Sequence, residues 1–95
     1  MASVIVTPTA QRDLDELIRT HSLPASTRER LRRSLQPLHD FPLLGAPLEG
    51  RWSRFRFVLG PWRWMIVVYL YDEALDRVAI VTIQDARSAR SPTNS

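Results

Sequence analysis

The sequence has no cysteine and no lysine, only two histidines, and only three glycines in 95 residues. Without cysteine there is no disulfide framework, no thiol nucleophile and no thiolate zinc site. His21 and His39 are too few and too far apart to suggest a metal site, and we expect neither a metal nor another cofactor. All 13 basic residues are arginine, which codon bias toward GC-rich triplets explains without any appeal to function. Long apolar runs are missing as well. Nothing approaches the length of a signal h-region or a membrane span, so a cytoplasmic protein that does not engage a membrane is expected.

What is present fits one compact domain. At 44% hydrophobic residues the chain can fill one core and is too short for two. We place that domain at 1–90, followed by a polar tail at 91–95. The net charge of +3 and the pI near 10.5 permit contact with nucleic acid without requiring it.

Hydrophobic periodicity divides the chain into two halves. Val4, Ile5 and Val6 form a β-branched run that suits a strand, and Thr7 followed by Pro8 reads as a helix N-cap with proline at the first helical position. Ala10, Leu14, Leu17 and Ile18 then follow with helical spacing to about Arg19. A second helix starts near Pro24 or Ser26, where Ser26 and Glu29 have capping-box spacing, and buries Leu31, Leu35 and Leu38. Pro37 should kink or end it. From Trp52 the period becomes two: a strand through Arg54, Phe55, Arg56, Phe57 and Leu59, a turn at Gly60 and Pro61, a central strand from Trp62 to Tyr71, and a last strand from Val78 to Ile83. The expected fold is α+β, in the order β-α-α-β-β-β with an antiparallel sheet.

Strand pairing offers a reason for the arginines to converge. A two-residue loop at Gly60 and Pro61 would set Val58 opposite Arg63, Arg56 opposite Met65 and Arg54 opposite Val67. Arg54, Arg56 and Arg63 would then share one face, and extension across the last hairpin would add Arg87. Phe55, Phe57, Leu59, Trp62, Trp64 and Ile66 would share the opposite face, as the surface for the helices. The arginine side would also carry Met65, Val67, Ala79, Val81 and Ile83, an apolar patch that a partner segment or a second copy of the chain could cover. Guanidinium groups gathered on one face suit a phosphate; the same arginines could equally be the solvated side of an amphipathic strand.

Four local motifs in this order resemble the RelE/ParE toxin superfamily. They are the opening segment Val6 to Leu14 (VTPTAQRDL), the helix end Leu38 to Pro42, the loop Gly45 to Gly50 (GAPLEG), and the segment from Gly60 through Arg63 to Met65. The resemblance covers Val4 to about Arg90. It implies a RelE-like fold and the toxin half of a bacterial type II toxin–antitoxin pair, with a cognate antitoxin as partner. RelE-like members cleave mRNA in the ribosomal A site by attack of the ribose 2′-hydroxyl on the adjacent phosphate. The resemblance makes Arg54, Arg56, Arg63 and Arg87 the catalytic set, with Arg54, Arg56, Arg63 and Arg90 binding RNA. The C-terminal Tyr or His that serves as acid or base in many RelE-like members is missing. Glu49, Asp85 and His39 are conceivable substitutes. ParE-like relatives share the fold, lack the nuclease residues and poison DNA gyrase. The expectation is therefore a ribosome-dependent mRNA endonuclease, the alternatives being a gyrase inhibitor or a catalytically weak antitoxin-binding remnant.

Overall fold

A computed structural model of the chain describes residues 1–87. The order is β1 (Ser3–Val6), α1 (Pro8–Thr20), α2 (Thr27–Leu35), α3 (Pro37–Asp40), β2 (Ala46–Pro47), a 3-10 turn (Gly50–Trp52), β3 (Arg56–Leu59), β4 (Met65–Asp72) and β5 (Arg77–Asp85). The strands form one sheet in the order β1-β5-β4-β3-β2. The expected β-α-α-β-β-β succession holds, with two refinements. β1 joins β5 in parallel, so the sheet is mixed, and a two-residue strand extends it beyond β3. Among the described residues no helix is long and apolar enough to cross a membrane.

Local chemistry accounts for the helix boundaries. Thr7 caps α1 through its side chain, which accepts from the Ala10 amide, and Pro8 stands at the first turn. The Thr7 hydroxyl also donates to the Ile80 carbonyl at 2.7 Å, fixing the start of α1 to β5. Ser26 precedes α2 but makes no cap bond, so the expected capping box does not form. The buried Thr27 hydroxyl donates instead to the Pro24 carbonyl at 2.6 Å. Pro37 ends α2 as expected and begins the separate turn α3.

The loop between β3 and β4 is longer than two residues. The Gly60 amide donates to the Met65 carbonyl, and residues 61–64 form the loop. Arg56 consequently lies opposite Tyr69, not Met65, and Val58 lies opposite Val67, not Arg63. The displacement of four residues is even, so every side chain within the strands keeps its expected face.

The helices occupy the other face from the one expected. Met65, Val67, Tyr69, Val78, Ile80 and Ile83 are buried with Ala10, Leu14 and Leu17 of α1 and Leu31 and Leu35 of α2. The patch expected to await a partner therefore contributes Met65, Val67 and Ile83 to the main core. A register shift between β4 and β5 makes this possible: Val68 pairs with Thr82 and Tyr69 with Ile80, leaving Val81 as an extra residue. Strict alternation would put Ile80 and Ile83 on opposite faces; the bulge lets both face the helices. Asp13 of α1 completes the irregularity, accepting from the Thr82 hydroxyl at 2.5 Å and from the Ile83 amide at 3.2 Å.

The second face is covered by the chain between β2 and β3. Leu48, Ile66 and Val68 are buried there, with Trp52, Phe55, Phe57 and Val81 packed around them. The loop leading into β2 is held down at Gly45, whose amide donates to the phenol oxygen of the fully buried Tyr69 at 2.8 Å. A Cβ at Gly45 would lie 2.5 Å from the Phe57 carbonyl oxygen and 2.8 Å from the Tyr69 ring, so only glycine fits. Burial pushes the Tyr69 phenol pKa up.

Candidate functional site

The four candidate arginines among the described residues, Arg54, Arg56, Arg63 and Arg87, do not form one cluster. Arg54 lies in a turn before β3 and Arg63 lies in the β3–β4 loop, so neither is on a strand. Arg54 lines a hollow with Leu43, Tyr71, Asp72 and Glu73, beside the β4–β5 turn. Arg63 precedes Met65, at the other end of β4. The eight residues of β4 separate the two by about 23 Å at ~3.3 Å per residue. Arg56 is on β3, but its Nη1 donates to the carbonyls of Gly45 at 2.8 Å and Leu43 at 3.3 Å. It serves as a clamp on the loop that enters β2. The loss of convergence has a simple cause: Arg54 and Arg63 are outside the regular ladder, where strand parity does not apply.

Arg63 and Arg87 do share an end of the sheet. β5 runs antiparallel to β4 and finishes beside its start, with Asp85 opposite Met65. The Ala86 amide then donates to the Trp64 carbonyl at 2.6 Å. This brings the Arg87 guanidinium over the Trp64 ring, 5.6 Å from its centroid, while Arg30 of α2 stands 5.7 Å from the centroid of Trp62. The two indoles are stacked on one another at 6.2 Å. Arg63, exposed, sits between them in sequence. Arg90 lies outside the described residues.

The C-terminal end of α1 contributes a group that the sequence did not single out. His21 stacks on Trp64, centroids 4.5 Å apart and planes at 14°, and its Nε2 is 3.1 Å from Oδ2 of Asp85. Asp85 also accepts from Arg87: Oδ1 from the amide at 2.9 Å and Nε at 3.0 Å, and Oδ2 from Nη2 at 3.0 Å. The hydrogen bonds from Arg87 lead in holding the Asp85 pKa down at about 2, with His21 a lesser contributor and partial burial opposing them. The carboxylate pulls the Arg87 pKa upward in return. The other candidates for proton transfer are elsewhere. His39 donates through Nδ1 to the Ala2 carbonyl at 2.8 Å, tying the N-terminal segment to α3, and Glu49 is exposed ahead of the 3-10 turn. No group of three or more metal-ligating side chains is found among the described residues.

Comparison with protein families gives a match over residues 4–90 to the ParE toxin of the type II toxin–antitoxin system parDE. The chain belongs to the ParE toxin family. It is thus the toxin component of a type II toxin–antitoxin system, within the RelE/ParE superfamily. Solved structures share this toxin's fold at low identity. The chain is similar to one in the toxin–antitoxin complex RelBE2 from Mycobacterium tuberculosis (23% identity, TM-score 0.67, 88% of this chain and 96% of that one). It is also similar to the isolated E. coli RelE toxin (16%, TM-score 0.63, 95% and 89%) and to YafQ from E. coli strain BL21(DE3) (11%, TM-score 0.64, 96% and 100%). Comparison with curated protein sequences gives no match. The toxin's RelE-like fold, with its order of strand, two helices and sheet, is the one its sequence motifs implied.

Proposed function

We propose that this ParE-family toxin is a ribosome-dependent mRNA endonuclease whose RNA-binding surface is the end of the sheet that carries Arg63 and Arg87. One observation carries the proposal: Arg30, Arg63 and Arg87 are interleaved there with Trp62 and Trp64. Guanidinium forks match phosphate oxygens, and the half-buried indoles hold Arg30 and Arg87 in place by cation–π contact. The chemistry is attack of a ribose 2′-hydroxyl on the adjacent phosphate, in which positive charge fixed beforehand stabilises the extra negative charge on the phosphorane. Among the described residues at this end of the sheet, exposed Arg63 is the cation available to the scissile phosphate. Arg87 helps only as far as it can leave Asp85 or share its donors with the RNA. Arg54 and Arg56, at a distance or engaged with carbonyls, have at most an outlying role. A cognate antitoxin is the expected partner, in line with the toxin–antitoxin complex of the mycobacterial relative.

The second reading, inhibition of DNA gyrase, is favoured by the match to the ParE family and by the scatter of the arginines. Induction of the chain in bacteria separates the two. Phased mRNA 5′ ends that disappear in Arg63→Ala support the endonuclease; intact mRNA together with gyrase-dependent DNA breaks overturns it.

A further inference from the structure

The end of α1 sets an imidazole against a carboxylate. The His21 ring stacks on Trp64, and its side chain is 28% exposed. Asp85, only 17% exposed, accepts hydrogen bonds and stays ionised at any physiological pH. The neutral ring must therefore carry its proton on Nε2 and donate it to Asp85, which leaves the lone pair on Nδ1. The Nδ1 atom is 3.0 Å from the exposed hydroxyl of Thr20, so the hydroxyl donates and the nitrogen accepts. An Asp, a correctly tautomeric His and a hydroxyl thus lie in one hydrogen-bonded row, beside the arginine–tryptophan surface. A histidine needed merely to end a helix would require neither the ionised carboxylate behind it nor a hydroxyl in front.

We propose that His21, oriented by Asp85 and Trp64, is the proton-transfer group of the toxin, with ribose 2′-hydroxyl as the group that takes the place of Thr20 Oγ1 at Nδ1. The inference rests on the endonuclease reading. The Nδ1 atom takes the 2′-hydroxyl proton, the 2′-oxygen bonds to the adjacent phosphorus, and the bond from phosphorus to the 5′-oxygen breaks. The products are a 2′,3′-cyclic phosphate and a 5′-oxygen that takes a proton from water; the imidazolium returns its proton to the hydroxide so formed. Asp85 stabilises the imidazolium while it exists and is a positioning residue. Among the described residues the charged groups facing the ring are Asp85 of β5 and Arg87 beyond it. The β3–β4 loop presents an indole, and α2 places Arg30 over Trp62 rather than over the imidazole.

The test is single-turnover cleavage of ribosome-bound mRNA by the purified toxin across pH 5 to 9, for wild type and His21→Gln, with mRNA and antitoxin binding measured on both. The wild-type rate should rise with pH and level off where His21, followed by NMR of labelled imidazole, loses its proton. His21→Gln should lose that limb and fall about 100-fold or more at pH 7.5, while binding RNA and antitoxin within about threefold of wild type. Cleavage by His21→Gln at the wild-type rate and with the wild-type profile overturns the assignment and leaves the endonuclease standing. So does a kinetic limb that departs from the NMR titration, a readout that needs no variant to fold. Wild-type toxin that leaves the mRNA intact overturns both.

Discussion

Replacement of Asp85 by asparagine tests the end of the sheet as a physical object, before any question of catalysis. The carboxylate ties α1, β5 and the segment after β5 together: His21 on one side, three donors of Arg87 on the other. Its pKa is lowered from 3.8 to about 2 in the folded protein. At ~1.4 kcal/mol for each pH unit that difference is worth at most about 2.5 kcal/mol. The Arg87 partner is two-thirds exposed, and solvent screening brings the contribution to about 1–2 kcal/mol. Because the folded pKa is the lower one, the stabilisation is complete above pH ~4, where the unfolded carboxylate is ionised too, and is lost as pH falls through about 2. Asp85→Asn should therefore lower the unfolding free energy by about 1–2 kcal/mol at pH 7, and the gap between variant and wild type should close between pH 4 and 2. Urea titrations followed by circular dichroism at several pH values measure this directly. A gap that is absent at pH 7, or that persists undiminished at pH 2, would refute the carboxylate's role as the tie.

Four further outcomes follow from the packing. Tyr69→Phe removes the acceptor of the Gly45 amide and should cost about 1–2 kcal/mol by leaving that donor unpaired; equal urea midpoints would contradict it. Gly45→Ala should be worse, because backbone as well as the Tyr69 ring stands in the way, and a variant as stable as wild type would show that the loop is not held where described. Asp13→Ala should cost about 2 kcal/mol, with faster amide exchange at Ile83, since Asp13 serves two donors at the bulge; protection at Ile83 equal to wild type would contradict this. On toxicity, Arg63→Ala should reduce cleavage more than 100-fold and Arg54→Ala less than tenfold, and the reverse order would restore the site to the Arg54 end.

The longer elements were legible in the sequence because each is specified locally, whereas β2, read as loop, exists only through its pairing with β3. Thr7 and Pro8 start α1, Pro37 stops α2, alternation marks β3, and an apolar run and a β-branched run mark β4 and β5. Face assignment within β3 and β4 survived a wrong loop length because the error was an even number of residues. The choice of which face meets the helices was not legible: both sides of β4 are apolar, and the aromatic side looks like the better core. It belongs instead to the smaller side chains Met65, Val67, Ile80 and Ile83, and only the bulge at Val81 makes the last two agree. The site was half legible for a related reason. Arg63 and Arg87 come together through β4 and β5, which adjoin in sequence and in the sheet. His21 and Asp85 are 64 residues apart, and their meeting depends on how far α1 extends along β5, which no local pattern encodes.

The central claim is that this ParE-family toxin cuts RNA at the end of its sheet. It is tested most directly by incubating the purified toxin with ribosomes holding a defined mRNA, and in parallel with DNA gyrase, and analysing the RNA ends by mass spectrometry. The account predicts an upstream fragment ending in a 2′,3′-cyclic phosphate, lost in Arg63→Ala, with gyrase supercoiling unaffected. Intact mRNA with inhibited gyrase would contradict it.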